Sequence, residues 1–194
     1  MTPPRESGGG RPLRADAQRN RAKVLEAAEA VFDARGTTAS TEEVAREAGV
    51  GIGTVFRHFP TKEALLEAVY VTRLRNLAAE AEALASGAEP GEAFFAFFAR
   101  VVGYAATKNA LAAALTEAGV DVSETTAETG QGLKRALAAL LEHAQEAGTV
   151  RRDVGPAEVL TLLVGASQAA ERFGGGGVRD RALAVILDGL RATP

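Results

Sequence analysis

Residues 41–62 read TEEVAREAGVGIGTVFRHFPTK, and the fold turns on how that stretch divides. Ser40 followed by Glu43 is the spacing of a capping box and starts a helix there. Val44, Ala45 and Ala48 share the inward face, and Gly49 ends the helix after about two turns. Val50 and Gly51 make the turn. A second short helix over 52–58 sets Val55 and Phe59 at i and i+4 as its core contacts. Pro60 then breaks the chain, and Thr61 caps another helix. A short helix, a glycine turn, a short helix and a fresh start make a helix-turn-helix. In that motif the second helix enters the major groove while the first crosses the backbone.

Upstream, residues 1–15 are rich in Gly, Pro and Arg and read as a disordered basic arm. Such an arm can track DNA through a minor groove. From Asp16 the pattern turns helical, with Val24, Ala28, Val31 and Phe32 on one face and Gly36 as the stop. Downstream, a long helix over 62–84 carries Leu65, Leu66, Val69 and Leu77. Further helices are expected over 91–107, 109–118 and 132–147, with a Thr/Ser/Glu-rich loop over 119–130. Pro156 opens another helix that ends before Gly174, and the last covers 178–192. No stretch alternates apolar with polar residues, so the fold class is all-α with about nine helices. The domain reading is an arm over 1–15, a helix-turn-helix domain over 16–62 and a helical effector-binding and dimerisation domain over 63–194.

With 194 residues the chain is long enough to bury a sizeable core. The absence of cysteine excludes disulfide scaffolds, zinc–cysteine sites and thiol nucleophiles. His58 and His143 are the only histidines, which argues against a histidine-rich metal site. No cofactor is expected. Nothing resembles a signal peptide, and the longest mostly apolar run, 159–170, is too short for a bilayer, which needs about 20 residues. The expected location is therefore cytoplasmic, without a membrane partner. Net charge is −3, but residues 1–62 carry ten Lys/Arg against eight Asp/Glu and residues 63–194 twelve against seventeen. Positive charge gathers at the front, where phosphates would be met.

The chemistry of the second short helix suits close approach to base edges. Gly51-Ile52-Gly53-Thr54 lets backbone come near, and Thr54 and Arg57 can hydrogen-bond. His58 and Lys62 add donors at the margin. Glycine costs about 1 kcal/mol relative to alanine in a helix, so two of them at a helix start suggest that approach matters. The series Gly49-x-Gly51-x-Gly53 is not a phosphate-cradling loop, because a helix precedes it and position 54 is threonine. Gly130-Gln131-Gly132 fails likewise.

The ordered set Thr41, Val44-Ala45, Ala48-Gly49-Val50, Gly53-Thr54, His58-Phe59, Lys62 and Leu65 resembles the helix-turn-helix of the TetR family of bacterial transcriptional regulators. The resemblance spans residues 24–69. Elsewhere only length, helical pattern and helix order agree. It implies that Thr41, Gly53, Thr54, Phe56, Arg57, His58 and Lys62 occupy DNA-contacting positions. Two residues depart from the usual pattern. Gly51 replaces a serine and so removes a side-chain cap, and Phe56 replaces a tyrosine and so removes a phosphate hydrogen bond. Phe56 can still pack on sugar or a thymine methyl.

In the remaining two-thirds, four of the eight phenylalanines lie within 94–98. Their plain use is core packing. An apolar ligand cavity between helices is the functional one, and the family resemblance implies it. Candidate lining residues are Phe94, Phe98, Tyr104, Leu111, Leu115, Leu137, Leu141, Val164 and Gln168. Tyr104, Thr107, His143 and Gln168 could orient polar atoms, and the absence of a charged cluster favours an uncharged, largely apolar ligand. The last two helices carry two adjacent apolar faces, one for the subunit and one for a partner. The family assembles as two-fold dimers through a four-helix bundle. Glu142-His143 stands alone, without a triad or metal spacing, so no enzyme is expected. The expectation is a homodimeric repressor that binds a palindromic double-stranded operator and is released by a small molecule. The alternatives are a regulator without an effector and, in another class, a helical enzyme or partner-binding module.

Overall fold

The computed structural model describes residues 10–87, 89–172 and 177–192. Residues 1–9 of the expected arm and most of the glycine run at 174–177 lie outside them. The described residues form nine α-helices: α1 (Gly10–Arg35), α2 (Thr41–Glu47), α3 (Ile52–His58), α4 (Lys62–Ala85), α5 (Pro90–Gly103), α6 (Ala105–Glu117), α7 (Ser123–Glu146), α8 (Pro156–Arg172) and α9 (Gly177–Leu190). They contain no strand, only an isolated bridge between Val150 and Arg191. The protein is all-α. It divides into two compact units, residues 1–69 and 70–194.

In the first unit, α1 begins at Gly10 rather than at Asp16. Its buried stripe is Val24, Ala28, Val31 and Phe32, and Gly36 stops it in the left-handed region (φ 75°), with its N–H on the Phe32 carbonyl at 3.0 Å. The three front helices pack on one another pairwise. Val44 and Ala45 from α2, Val55 and Phe59 from α3 and its cap, and Leu65, Leu66 and Val69 from α4 are also buried.

In the second unit, α5 packs against both α7 and α8. Phe94, Phe95, Phe97 and Phe98 are all buried, in one cluster with Leu77, Leu137, Leu141, Val159, Leu163 and Leu190. The Phe94 and Phe95 rings meet edge-on at 5.3 Å, and Phe94 and Phe98 stand 6.4 Å apart. A single helix over 91–107 is not what forms. α5 ends at Gly103, and Tyr104 (φ −83°, ψ −5°) separates it from α6. Glycine weakens the helix there, and the break lets α6 bury Leu111 and Leu115 and pack on α8. The loop expected over 119–130 is also shorter. α7 begins at Ser123, whose N–H is accepted by the Asp121 carboxylate at 2.9 Å.

The end of α9 is clasped to the α7–α8 connection. Arg151 N–H donates to the Leu190 carbonyl and Ala192 N–H to the Thr149 carbonyl, each at 3.0 Å. The Arg191 guanidinium lies over the Phe95 ring at 4.5 Å, a contact worth about 0.5–1 kcal/mol where water reaches it.

Phe97→Ala should destabilise the protein by about 3–5 kcal/mol, the cost of emptying a core aromatic position. Gly103→Ala should stabilise it by up to about 1 kcal/mol, because a Cβ there meets nothing within 4 Å. Urea unfolding of both variants checks the pair.

Candidate nucleic-acid interface

Local devices hold the helix-turn-helix at each end. The Ser40 hydroxyl accepts the Glu43 N–H at 3.3 Å, and the Glu43 carboxylate accepts the Ser40 N–H at 2.8 Å. This is the expected capping box. That backbone bond first, and the Arg35 guanidinium second, hold the Glu43 carboxyl below its ordinary value. Arg35, in the last turn of α1, also forms an ion pair with Glu43 and so ties the two helices. At the far end of α2, Gly49 sits at φ 65°. The Val50 N–H reaches the Ala45 carbonyl at 3.0 Å and the Gly49 N–H reaches Arg46 at 3.2 Å, a Schellman closure. Thr61 caps α4 as expected, its hydroxyl accepting the Ala64 N–H at 3.1 Å.

These closures present α3 in a definite orientation. Val55 and Phe59 are buried, while Ile52, Gly53, Phe56 and Arg57 are exposed and Thr54 and His58 lie half-buried at the flanks. Gly51 caps α3 with no side-chain hydrogen bond. A Cβ on Gly51 or Gly53 would meet nothing within 4 Å. No internal contact therefore demands glycine at either place, and its effect is to leave the outer surface of α3 bare. Thr41 is buried, and Lys62 is half-buried. Arg21 of α1 was not among the sequence candidates. Its guanidinium lies 5.0 Å from the Phe59 ring centroid, which brings a cation to the end of α3. Nothing in the local pattern around Arg21 signals that contact, because the two residues meet only in the folded unit.

In the second unit the candidate effector residues separate into two groups. Phe94, Phe98, Leu137 and Leu141 share one buried cluster, and Leu111 and Leu115 are buried outside it. Tyr104, Val164 and Gln168 are exposed. The Thr107 side chain lies outside those described. His143 is engaged in structure, with Nδ1–H donating to the Ala85 carbonyl at the end of α4 at 2.9 Å. A cleft of about 120 Å³ opens between α5, α8 and α9, lined by Val102, Ala166, Ala170, Leu183 and Ile186, with Arg179 among its walls. Space of that order accepts a ligand about the size of one aromatic ring. Among the described residues no group of three or more His, Asp or Glu could hold a metal ion. No helix there is long and apolar enough to cross a membrane.

Ser40→Ala should cost about 1 kcal/mol. The stability that Glu43 adds is present above the ordinary carboxyl value of 4.5 and is lost as pH falls through the lowered folded-state value. Glu43→Gln should therefore be less stable than wild type at neutral pH and converge on it in acid. Denaturant titration across that range measures both effects.

Comparison with known proteins agrees with this geometry. Residues 24–69 match the family model of bacterial regulatory proteins of the tetR family. Residues 89–192 match that of the C-terminal domain of SbtR-like transcriptional regulators. The crystal structure of a TetR transcription regulatory protein from Mycobacterium vanbaalenii is 43% identical, covers 93% of this chain and 100% of its own, and superposes with a TM-score of 0.77. A TetR transcriptional regulator from Streptomyces coelicolor is 36% identical over 90% of this chain and 99% of its own, with a TM-score of 0.75. An HTH-type transcriptional regulator of Staphylococcus aureus strain USA300 is 41% identical over 54 residues, which are 27% of this chain and 29% of that protein. The chain thus spans under a third of that curated relative's length. Matched at its head and through its carboxy-terminal half, and aligned nearly end to end with solved relatives, the chain belongs to the TetR family of bacterial transcriptional regulators, a family of DNA-binding proteins rather than enzymes.

Proposed function

We propose that the protein is a homodimeric repressor whose α3 reads a palindromic operator and whose helical second unit responds to a small, largely apolar molecule. The observation that carries the reading is the division of α3 into a buried face, Val55 with Phe59, and an outward face of Ile52, Gly53, Phe56 and Arg57. Side chains facing outward around a bare glycine suit contact with base edges, with Arg57, His58, Lys62 and Arg21 placed for phosphates. Thr54 and the backbone around Thr41 and Gly51 complete the proposed contact set.

Dimerisation rests on α8 and α9. Val164, Val178 and Val185 are 48%, 61% and 72% exposed, and Leu162 also faces out. Large apolar side chains at that density on adjoining helices favour a partner surface. A two-fold pairing of these helices would offer two copies of α3 to half-sites one DNA turn apart, about 34 Å. The effector reading rests on the apolar cleft beside α8 and α9 and on the aromatic cluster beneath it. Control requires a ligand that binds the released form more tightly than the operator-bound form. The tight burial of Phe94, Phe97 and Phe98 favours a second reading, in which side chains fill the interior and no effector acts.

A gel shift with DNA flanking the protein's own gene should give a complex that weakens steeply with salt; no complex at low salt would remove the repressor reading. Lys62→Ala should weaken binding to all sequences similarly and reduce the salt slope by about one. Val185→Glu should shift the sedimenting species from dimer to monomer. A thermal-shift screen of small apolar compounds, repeated on the DNA complex, separates effector control from its absence.

A further inference from the structure

We infer that Ile52 and Phe56 read thymine methyl groups, so that each operator half-site carries two thymines about two base pairs apart under α3. This rests on the proposed reading of α3 as the base-contacting helix. Among the described residues of the first unit, Ile52 and Phe56 are the exposed large apolar side chains, at 36% and 42%. The other large apolar residues of α3 and its cap, Val55 and Phe59, are 0% and 3% exposed. The outward pair is therefore a face, not a scatter. Positions i and i+4 lie on the same side of a helix, about 6 Å apart along its axis. Successive base pairs rise about 3.4 Å, so that distance spans roughly two of them.

The occupant follows from chemistry. The major-groove edges of guanine, adenine and cytosine offer hydrogen-bond donors and acceptors, and thymine alone adds a methyl group. Neither isoleucine nor phenylalanine can satisfy a polar edge, and covering one would leave desolvated groups unpaired. The pair therefore favours thymine and disfavours the other bases by the same contact. Phe56 has no hydroxyl to give to a phosphate, which leaves its ring for apolar contact. Gly53, between the two, adds no Cβ to hold the bases away. The rim carries the Arg57 guanidinium and the His58 imidazole in the last turn of α3, and such a charged and hydrogen-bonding edge matches a phosphate-walled groove rather than an apolar partner.

The full-length protein is used to select binders from a pool of random DNA duplexes. Each thymine of the enriched half-site is then replaced by deoxyuridine, which lacks only the methyl. Two positions about two base pairs apart should each lose about fourfold in affinity, the effect of one buried methyl. Ile52→Ala should abolish the loss at one position and Phe56→Ala at the other, and the melting temperature of each variant shows whether it is folded. An enriched sequence whose affinity is indifferent to deoxyuridine at every position would overturn the methyl assignment and leave DNA binding intact. So would alanine variants that keep the wild-type deoxyuridine penalties. A pool with no enriched sequence would overturn the DNA-reading proposal and this inference together. The deoxyuridine measurements alter only the DNA, so they test whether thymine methyls are read at all even if a variant folds poorly.

Discussion

A helix of seven residues does not hold itself together in water, and α3 is that short. Its existence and its orientation depend on burying Val55 and Phe59 in the first unit. Each such burial is worth about 1.5–3 kcal/mol, more than any cap at its ends. Once those two side chains are inside, the rotation of the helix is set, and Ile52, Gly53, Phe56 and Arg57 must face out. The capping box at Ser40, the left-handed Gly49 and the Thr61 cap serve the same end, since each limits how far the neighbouring helices can slide or fray. The outward face of α3 is thus a by-product of packing. What α3 offers outward is decided by what it hides.

The head was legible because its determinants are local. Capping residues, glycine stops and i, i+4 pairs lie within a few positions of one another, and each was found where the spacing placed it. The carboxy-terminal unit was less legible for the opposite reason. The break at Tyr104 depends on where Leu111 and Leu115 must go to pack, which no local residue announces beyond the weak signal of Gly103. The start of α7 at Ser123 was hidden by Ser, Thr and glycine residues of low helix propensity. Its apolar stripe begins only near Leu133, so periodicity marks the second half of the helix and not the first. The early start of α1 at Gly10 was obscured in the same way by glycine and proline.

Contacts between distant residues were beyond reach. Arg21 over Phe59, His143 on the Ala85 carbonyl and Arg191 over Phe95 join positions far apart in the chain. Each gives a specific role to a residue that reads alone as an ordinary surface or polar position. Helical periodicity also assigns a face without naming its neighbour. Phe94 and Phe98 enter a packed cluster while Val164 and Gln168, grouped with them from the sequence, face outward. α5 supplies the centre of the second unit, and α8 and α9 leave Val164, Val178 and Val185 exposed.

Everything proposed for the protein depends on α3 meeting DNA with its outward face. Amide hydrogen exchange of the full-length protein, with and without a duplex it binds, tests that most directly. The strongest slowing on DNA addition should fall within residues 41–62, centred on α3. Protection confined to residues 70–192, with 41–62 exchanging as in the free protein, would contradict it.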